Sequence, residues 1–299
     1  MAGEPFETFS AATRARCGDS AGAWLARVPD LVAELGERWS LQLGEPSSTE
    51  EAYLVPADRG GERLLLEISY PDGWWPETTK ALEAWHGDGT VRLFEQDPHG
   101  ARLLERHARA PETGDETSAL RDVAATARRL WIAPPDGIAT VAVEVRAWGS
   151  ELPPRHVRAG RPFERDMVRR ADDLFATLGP TQGERVLLHG DLHLTSLALA
   201  DDRRILIGPR PLVGEREFDL ASLIRDTPLE LLADVHEGRR RVRERLETLV
   251  EELGCNATRL KNWAFATAVD QAIWLAENGH HGGGTAVIET ARMIDQIEV

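Results

Sequence analysis

Hydrophobic periodicity changes once along this 299-residue chain, near residue 110, and that change limits the fold more than any other feature. Before it, short apolar runs alternate with turn signals: Ala52–Val55, Leu64–Ser69 (LLLEIS) and Val91–Glu95. Runs this short suit half-buried strands. Gly60-Gly61 lies between two of them and predicts a hairpin turn. Residues 101–107 read as a last strand. Helical spacing occurs at 29–39 (Leu31, Val32, Leu35, Trp39) and at 76–86, and the first thirty residues read as helical or loose. A linker rich in Pro, Glu, Thr and Gly follows at 111–117. Beyond it, 118–132, 138–151, 161–178, 228–253 and 256–278 carry helical spacing, interrupted by the short apolar runs 186–188 and 205–207. Strands first and helices after predict an α+β chain of two lobes. Residues 1–110 form the first, with a helical start, an antiparallel sheet and one helix. Residues 111–299 form the second, mostly helical, with a loop-and-strand insert at 186–226.

Charge narrows the partners. The net charge is −15, which repels polyanions and argues against nucleic acid. The one basic cluster, Arg239, Arg240, Arg241, Arg243 and Arg245, is interleaved with Glu237, Glu244 and Glu247 and reads as a solvated helix face. Cys17 and Cys255 stand far apart with no metal-ligand spacing, as expected of reduced thiols in the cytoplasm. No leader pattern and no apolar run of ~20 residues is present, so no membrane partner is expected.

Chemistry concentrates in residues 186–226. His189-Gly190-Asp191-Leu192-His193 lies between two apolar runs, in a loop. Two roles are open to Asp191: general base toward a substrate hydroxyl, or acceptor for loop amides.

This segment resembles the catalytic loop of the aminoglycoside 6-phosphotransferase and hydroxyurea phosphotransferase family, known for streptomycin kinases. PRPLVGEREFDLASLIRD (209–226), ALEAWHGDGTVRLFEQDPHGARLLER (81–106) and NWAFATAVDQAIWLAENG (262–279) extend the likeness over roughly residues 30–290. The resemblance implies a two-lobed protein-kinase-like fold, with a small β-rich N-lobe, a hinge near 105–112 and a helical C-lobe. It implies Asp191 as general base, and His189 and Asp219 as residues bracing the loop. It also implies phosphoryl transfer with ATP and magnesium, which needs a strand Lys paired to a helix Glu, an Asn and a metal-binding Asp.

Those groups are replaced here. The strand Lys position is Glu67, the helix Glu position Thr78, the Asn position Ser196 and the metal Asp position Gly208. Only two of the 35 basic residues are Lys, Lys80 and Lys261, and neither falls at the phosphate position. A charge reversal at 4 Å matters, since one pair there is worth about 4 kcal/mol at an effective dielectric near 20. The loop expected over the phosphates, Pro46–Ala52, has no glycine and two glutamates. Lys80 offers Glu67 a reversed ion pair. Neither Asp201-Asp202 nor His193 makes a convincing metal ligand. Asp270, Trp274 and Glu277 share one face of a helix, and the resemblance implies that this face, with His193, lines a ligand pocket suited to cations.

The expected function is therefore that of a pseudokinase, an antibiotic-phosphotransferase-like protein with a degenerate ATP and magnesium site, no cofactor and no metal. It would bind a small molecule, cationic on this reading, or a protein partner. Two alternatives stand beside it. One is an active enzyme moving phosphate from a nucleotide to a hydroxyl of an aminoglycoside-like compound. The other is a kinase fold repurposed for chemistry without ATP around Asp191. Antibiotic resistance or secondary metabolism follows from the resemblance.

Overall fold

A computed structural model describes residues 3–110 and 115–299. Residues 111–114, which belong to the expected linker and hinge, lie outside the described residues. The chain separates into two compact units. One runs through Arg109 and adds Ala198–Ile205; the other runs from Ala110 through Leu197 and adds Leu206–Val299.

The first unit opens with helices α1 (Glu4–Cys17) and α2 (Gly22–Arg38). Helix α2 begins earlier than the spacing at 29–39 suggests and passes through Pro29. Its buried stripe, Leu25, Val28, Leu31 and Leu35, compensates for the amide that proline lacks. The strands are β1 (Gln42–Leu43), β2 (Ser47–Ser48), β3 (Ala52–Arg59) and β4 (Glu62–Ser69). Helix α3 (Trp74–Trp85) precedes β5 (Leu93–Asp97), β6 (Ala101–Glu105) and β7 (Ala108–Arg109). The sheet runs β1-β3-β4-β6-β5, with β2 also on β3. Gly60 and Gly61, at φ +63° and +89°, make the predicted hairpin.

Alternation along β4 assigns its two faces. Leu64, Leu66 and Ile68 pack with Val28, Leu31 and Leu35 of α2 and with Ala101 and Leu103 of β6. By parity, Leu65 and Glu67 point to the opposite face. The β4–β6 register sets Glu67 directly against Arg102.

The second unit holds α4 (Glu116–Leu130), α5 (Val141–Arg158), α6 (Arg165–Leu178) and strand β8 (Val186–Leu188). Strands β9 (Leu197–Ala200) and β10 (Arg203–Leu206) form the next hairpin. The sequence reading kept this hairpin wholly in the second lobe. Most of it joins the first unit, because Ala108 and Arg109 of β7 pair with Leu199 and Ala198 of β9. Strand β11 (Leu212–Gly214) returns antiparallel to β8. Helices α7 (Arg216–Ile224), α8 (Pro228–Ala233), α9 (Val235–Leu253), α10 (Ala257–Glu277) and α11 (His281–Asp295) complete the chain. The single helix expected at 228–253 is two, because Asp234 turns extended and caps α9 by accepting from the amides of His236 and Glu237. Trp148, Phe175, Phe218 and Trp263 interlock in the core of this unit, joining α5, α6, α7 and α10. No helix among the described residues is long and apolar enough to cross a membrane.

Candidate functional site

In the first unit the position of interest is Glu67 on β4. Its partner is not Lys80, which is exposed on α3, but Arg102 on the neighbouring strand. Arg102 Nη1 donates to Glu67 Oε1 at 3.0 Å, Nη2 to the Trp75 carbonyl at 2.8 Å, and Nε to Thr79 Oγ1 at 3.0 Å. Its guanidinium also lies 4.8 Å from the centroid of the Trp75 ring. Arg102 is 5% exposed, so this cation is spent inside the protein. Burial lowers its pKa, and the charge of Glu67 opposes that. Thr78 is buried on α3. The link from strand to helix thus runs Glu67–Arg102–α3. In the loop 46–52, Thr49 Oγ1 accepts from the amides of Glu51 and Ala52 and folds the segment into a tight turn onto β3.

In the second unit, the loop leaving β8 is braced from below. Asp219, in the first turn of α7, accepts from the amides of His189 (3.1 Å) and Gly190 (2.8 Å) and from Trp131 Nε1 (3.1 Å). His189 is fully buried, with Nε2 3.1 Å from the Ile207 carbonyl and Nδ1 3.4 Å from the Asp191 amide. Burial lowers its pKa, so it is the neutral ring: Nε2 donates and Nδ1 accepts. Gly190 sits at φ +81°, and a Cβ there would lie 1.9 Å from the Arg210 carbonyl. Only glycine lets the two strands of the loop approach this closely.

Asp191 emerges from this base with its carboxylate 42% exposed. His193 lies between two carboxylates: Nε2 is 3.2 Å from Asp191 Oδ1 and Nδ1 is 3.3 Å from Asp226 Oδ1. Arg210 Nε approaches the other Asp191 oxygen at 3.6 Å. Hydrogen bonds to Asp191 and then to Asp226 raise the His193 pKa to about 9, against burial. Burial pushes Asp191 up, but the hydrogen bond and charge of His193, with Arg210, hold it below its ordinary value. Asp226 behaves alike and also accepts from the amides of Leu194 (2.7 Å) and Thr227 (2.9 Å).

The residues at the expected metal positions do not fit a metal. Ser196 Oγ accepts from the His193 amide at 3.1 Å and reaches the Asp191 carbonyl at 3.5 Å, so its hydroxyl is occupied within the loop. Gly208 has no side chain, and its φ is +73°. Asp201 and Asp202 are exposed in the β9–β10 turn. Among the described residues no group of three or more His, Cys, Asp and Glu is arranged to hold a metal ion.

The face Asp270–Trp274–Glu277 of α10 differs from expectation. Trp274 is 52% exposed, whereas the two acids turn inward to Arg155 of α5. Arg155 Nη1 lies 2.6 Å from Asp270 and Nε 2.8 Å from Glu277, and Arg158 adds a contact to Glu277 at 3.3 Å. The acids expected to attract a cation already hold one. The residues that sequence reasoning missed, Arg102, Asp226, Arg210 and Arg155, all act as partners of residues it found. Arg210 and Asp226 lay within one quoted motif, and Arg102, within another, becomes visible once β4 and β6 are set in register. Arg155 leaves no local signal.

Comparison with known proteins agrees with this architecture. The aminoglycoside/hydroxyurea antibiotic resistance kinase family matches residues 38–279. The streptomycin 6-kinase of Streptomyces griseus is 32% identical over 273 residues, covering 88% of this chain and 87% of that protein. The hydroxyurea phosphotransferase of Kitasatospora aureofaciens is also 32% identical, covering 88% and 78%. Among solved structures, aminoglycoside phosphotransferase APH(4)-Ia superposes with a TM-score of 0.60 at 14% identity, covering 90% of this chain and 99% of that one.

Proposed function

The chain belongs to the aminoglycoside/hydroxyurea antibiotic resistance kinase family, and from that premise we propose that it is a pseudokinase, a member that binds a ligand without transferring phosphate. One observation carries the reading. Glu67 stands where the family resemblance places the phosphate lysine, and it is engaged by Arg102, whose polar contacts run to Glu67, Trp75 and Thr79 within its own lobe. A triphosphate arriving there meets a carboxylate. The substitutions at Ser196 and Gly208 point the same way, since magnesium needs hard oxygen ligands. The ligand is a small molecule or a protein. A polycation has to compete with Arg155 for Asp270 and Glu277. The same reading has no resident cofactor and places the chain in the cytoplasm, with Cys17 and Cys255 as free thiols.

A second reading keeps phosphoryl transfer to a hydroxyl of an aminoglycoside-like compound. It is favoured by the family to which the chain belongs and by Asp191, a carboxylate held ionised and partly open to solvent. Thermal unfolding with ATP and magnesium separates the two. A ligand at 100 times its Kd stabilises by about 2.7 kcal/mol, an effect of several degrees. No shift is expected. A magnesium-dependent rise, with a phosphorylated product lost in Asp191→Asn, would establish the second reading. Restoring the site needs Glu67→Lys, Ser196→Asn and Gly208→Asp together with Arg102→Met, since Glu67→Lys alone sets two cations side by side.

A further inference from the structure

Two aspartates, Asp191 and Asp226, flank one histidine of this loop, and the chain supplies its own answer to their charge. His193 is extended, at φ −137° and ψ +159°. Its ring lies beside Asp191. The end of α7 delivers Asp226 to the ring's other edge. Both ring nitrogens therefore face a carboxylate oxygen, at 3.2 and 3.3 Å. A neutral imidazole has one donor and one acceptor. In that form one of the two contacts would set a lone pair against a carboxylate. Only the imidazolium donates to both. Arg210 stands at the remaining oxygen of Asp191, and the Leu194 amide holds the remaining oxygen of Asp226. The two carboxylates thus meet the imidazolium and Arg210 of the same chain directly. The buried neutral ring of His189 lies beneath them, and Arg225 stands near both carboxylates.

We propose that His193 and Arg210 are built-in counter-ions of this loop: bridging Asp191 and Asp226, they supply the positive charge for which a divalent cation would otherwise compete, and the loop holds its shape without a metal. A metal entering here would have to displace an imidazolium that is hydrogen-bonded on both edges. It would gain no ligand from Ser196 or Gly208. The inference rests on the same metal-site substitutions as the pseudokinase reading, but not on the nucleotide. It is tested without nucleotide, so failure of one leaves the other standing.

The measurement is titration of the full chain with Mn2+ alone, followed by electron paramagnetic resonance. Wild type is expected to leave the free Mn2+ signal unchanged up to millimolar concentrations. His193→Gln leaves the two carboxylates facing a neutral side chain and is expected to take up one Mn2+ with roughly tenfold higher affinity. Adding Asp226→Asn should abolish that gain. Arg210→Gln is the second arm: the side chain is half-exposed, so the fold tolerates its loss, and a smaller rise in Mn2+ affinity is expected. Wild type binding one Mn2+ that Asp191→Asn abolishes would overturn the proposal. So would a folded His193→Gln, or an Arg210→Gln, that binds no more Mn2+ than wild type.

Discussion

Glu67 in the first unit and Asp191 in the second are carboxylates at the two positions where a phosphotransfer site would handle charge, and each is met by cations of its own chain. Their surroundings differ. Arg102 is buried beneath Trp75 and divided among a carboxylate, a carbonyl and a hydroxyl. His193 is 34% exposed and holds its charge only while protonated. The first arrangement is a fixed structural pair. The second is a balance set by pH. One carboxylate is answered by packing and the other by electrostatics.

The strongest test of this contrast is Arg102→Met. It strands Glu67 against an apolar neighbour and frees the Trp75 carbonyl, so a loss of about 3–5 kcal/mol is expected in urea unfolding. Pairing it with Glu67→Met should recover most of the loss, because two apolar groups leave nothing unpaired. A loss below about 1 kcal/mol would mean that the pair is not locked.

A smaller effect follows from pH. A histidine whose folded pKa is raised to about 9 contributes stability that is complete below its unfolded value of about 6.5 and is lost as pH rises through 9. Asp191 and Asp226 are the groups facing the ring, with His189 below and Arg210 and Arg225 behind the carboxylates. The two carboxylates and His189 are all held below their ordinary values, so they do not titrate within that window. After allowance for partial exposure the loss is on the order of 1 kcal/mol, or roughly 2–4 °C. Melting curves of wild type and His193→Gln should therefore diverge at pH 6.5 and converge by pH 10. Parallel curves would sink the idea that His193 is the titrating element.

The smallest effect is expected at Lys80, the lysine whose position suggests a partner for Glu67. It is exposed, and Glu67 is paired elsewhere. Lys80→Ala should change stability by no more than about 0.5 kcal/mol. A larger loss in the same unfolding assay would return it to the Glu67 network.

Much of this was legible in the chain and some was not. Gly60-Gly61 announced a hairpin and formed one. The apolar runs near 52, 64 and 101 became strands, while the two-residue strands β1, β2 and β7 escaped notice because two residues carry no period. Helix α11 escaped because it opens on His281-Gly282-Gly283-Gly284, poor helix formers that hide the apolar spacing behind them. Glu67, Ser196, Gly208 and His193 were singled out in the sequence. The partners of Glu67 and His193 were not, because Arg102 lies 35 residues on from Glu67 and Asp226 lies 33 residues on from His193.

By itself, then, the sequence determined the order and type of the elements, the family resemblance and the identity of the residues at each charge-handling position. These follow from spacings of a few residues, which local backbone geometry converts directly into faces and turns. The tertiary structure alone decided that Arg102, not Lys80, meets Glu67, that Arg155 occupies Asp270 and Glu277, and that His193 bridges two aspartates. Each is a contact between segments far apart in the chain, set by strand register and helix packing. An ion pair depends on where its partner's charge comes to rest, and only the folded core determines that.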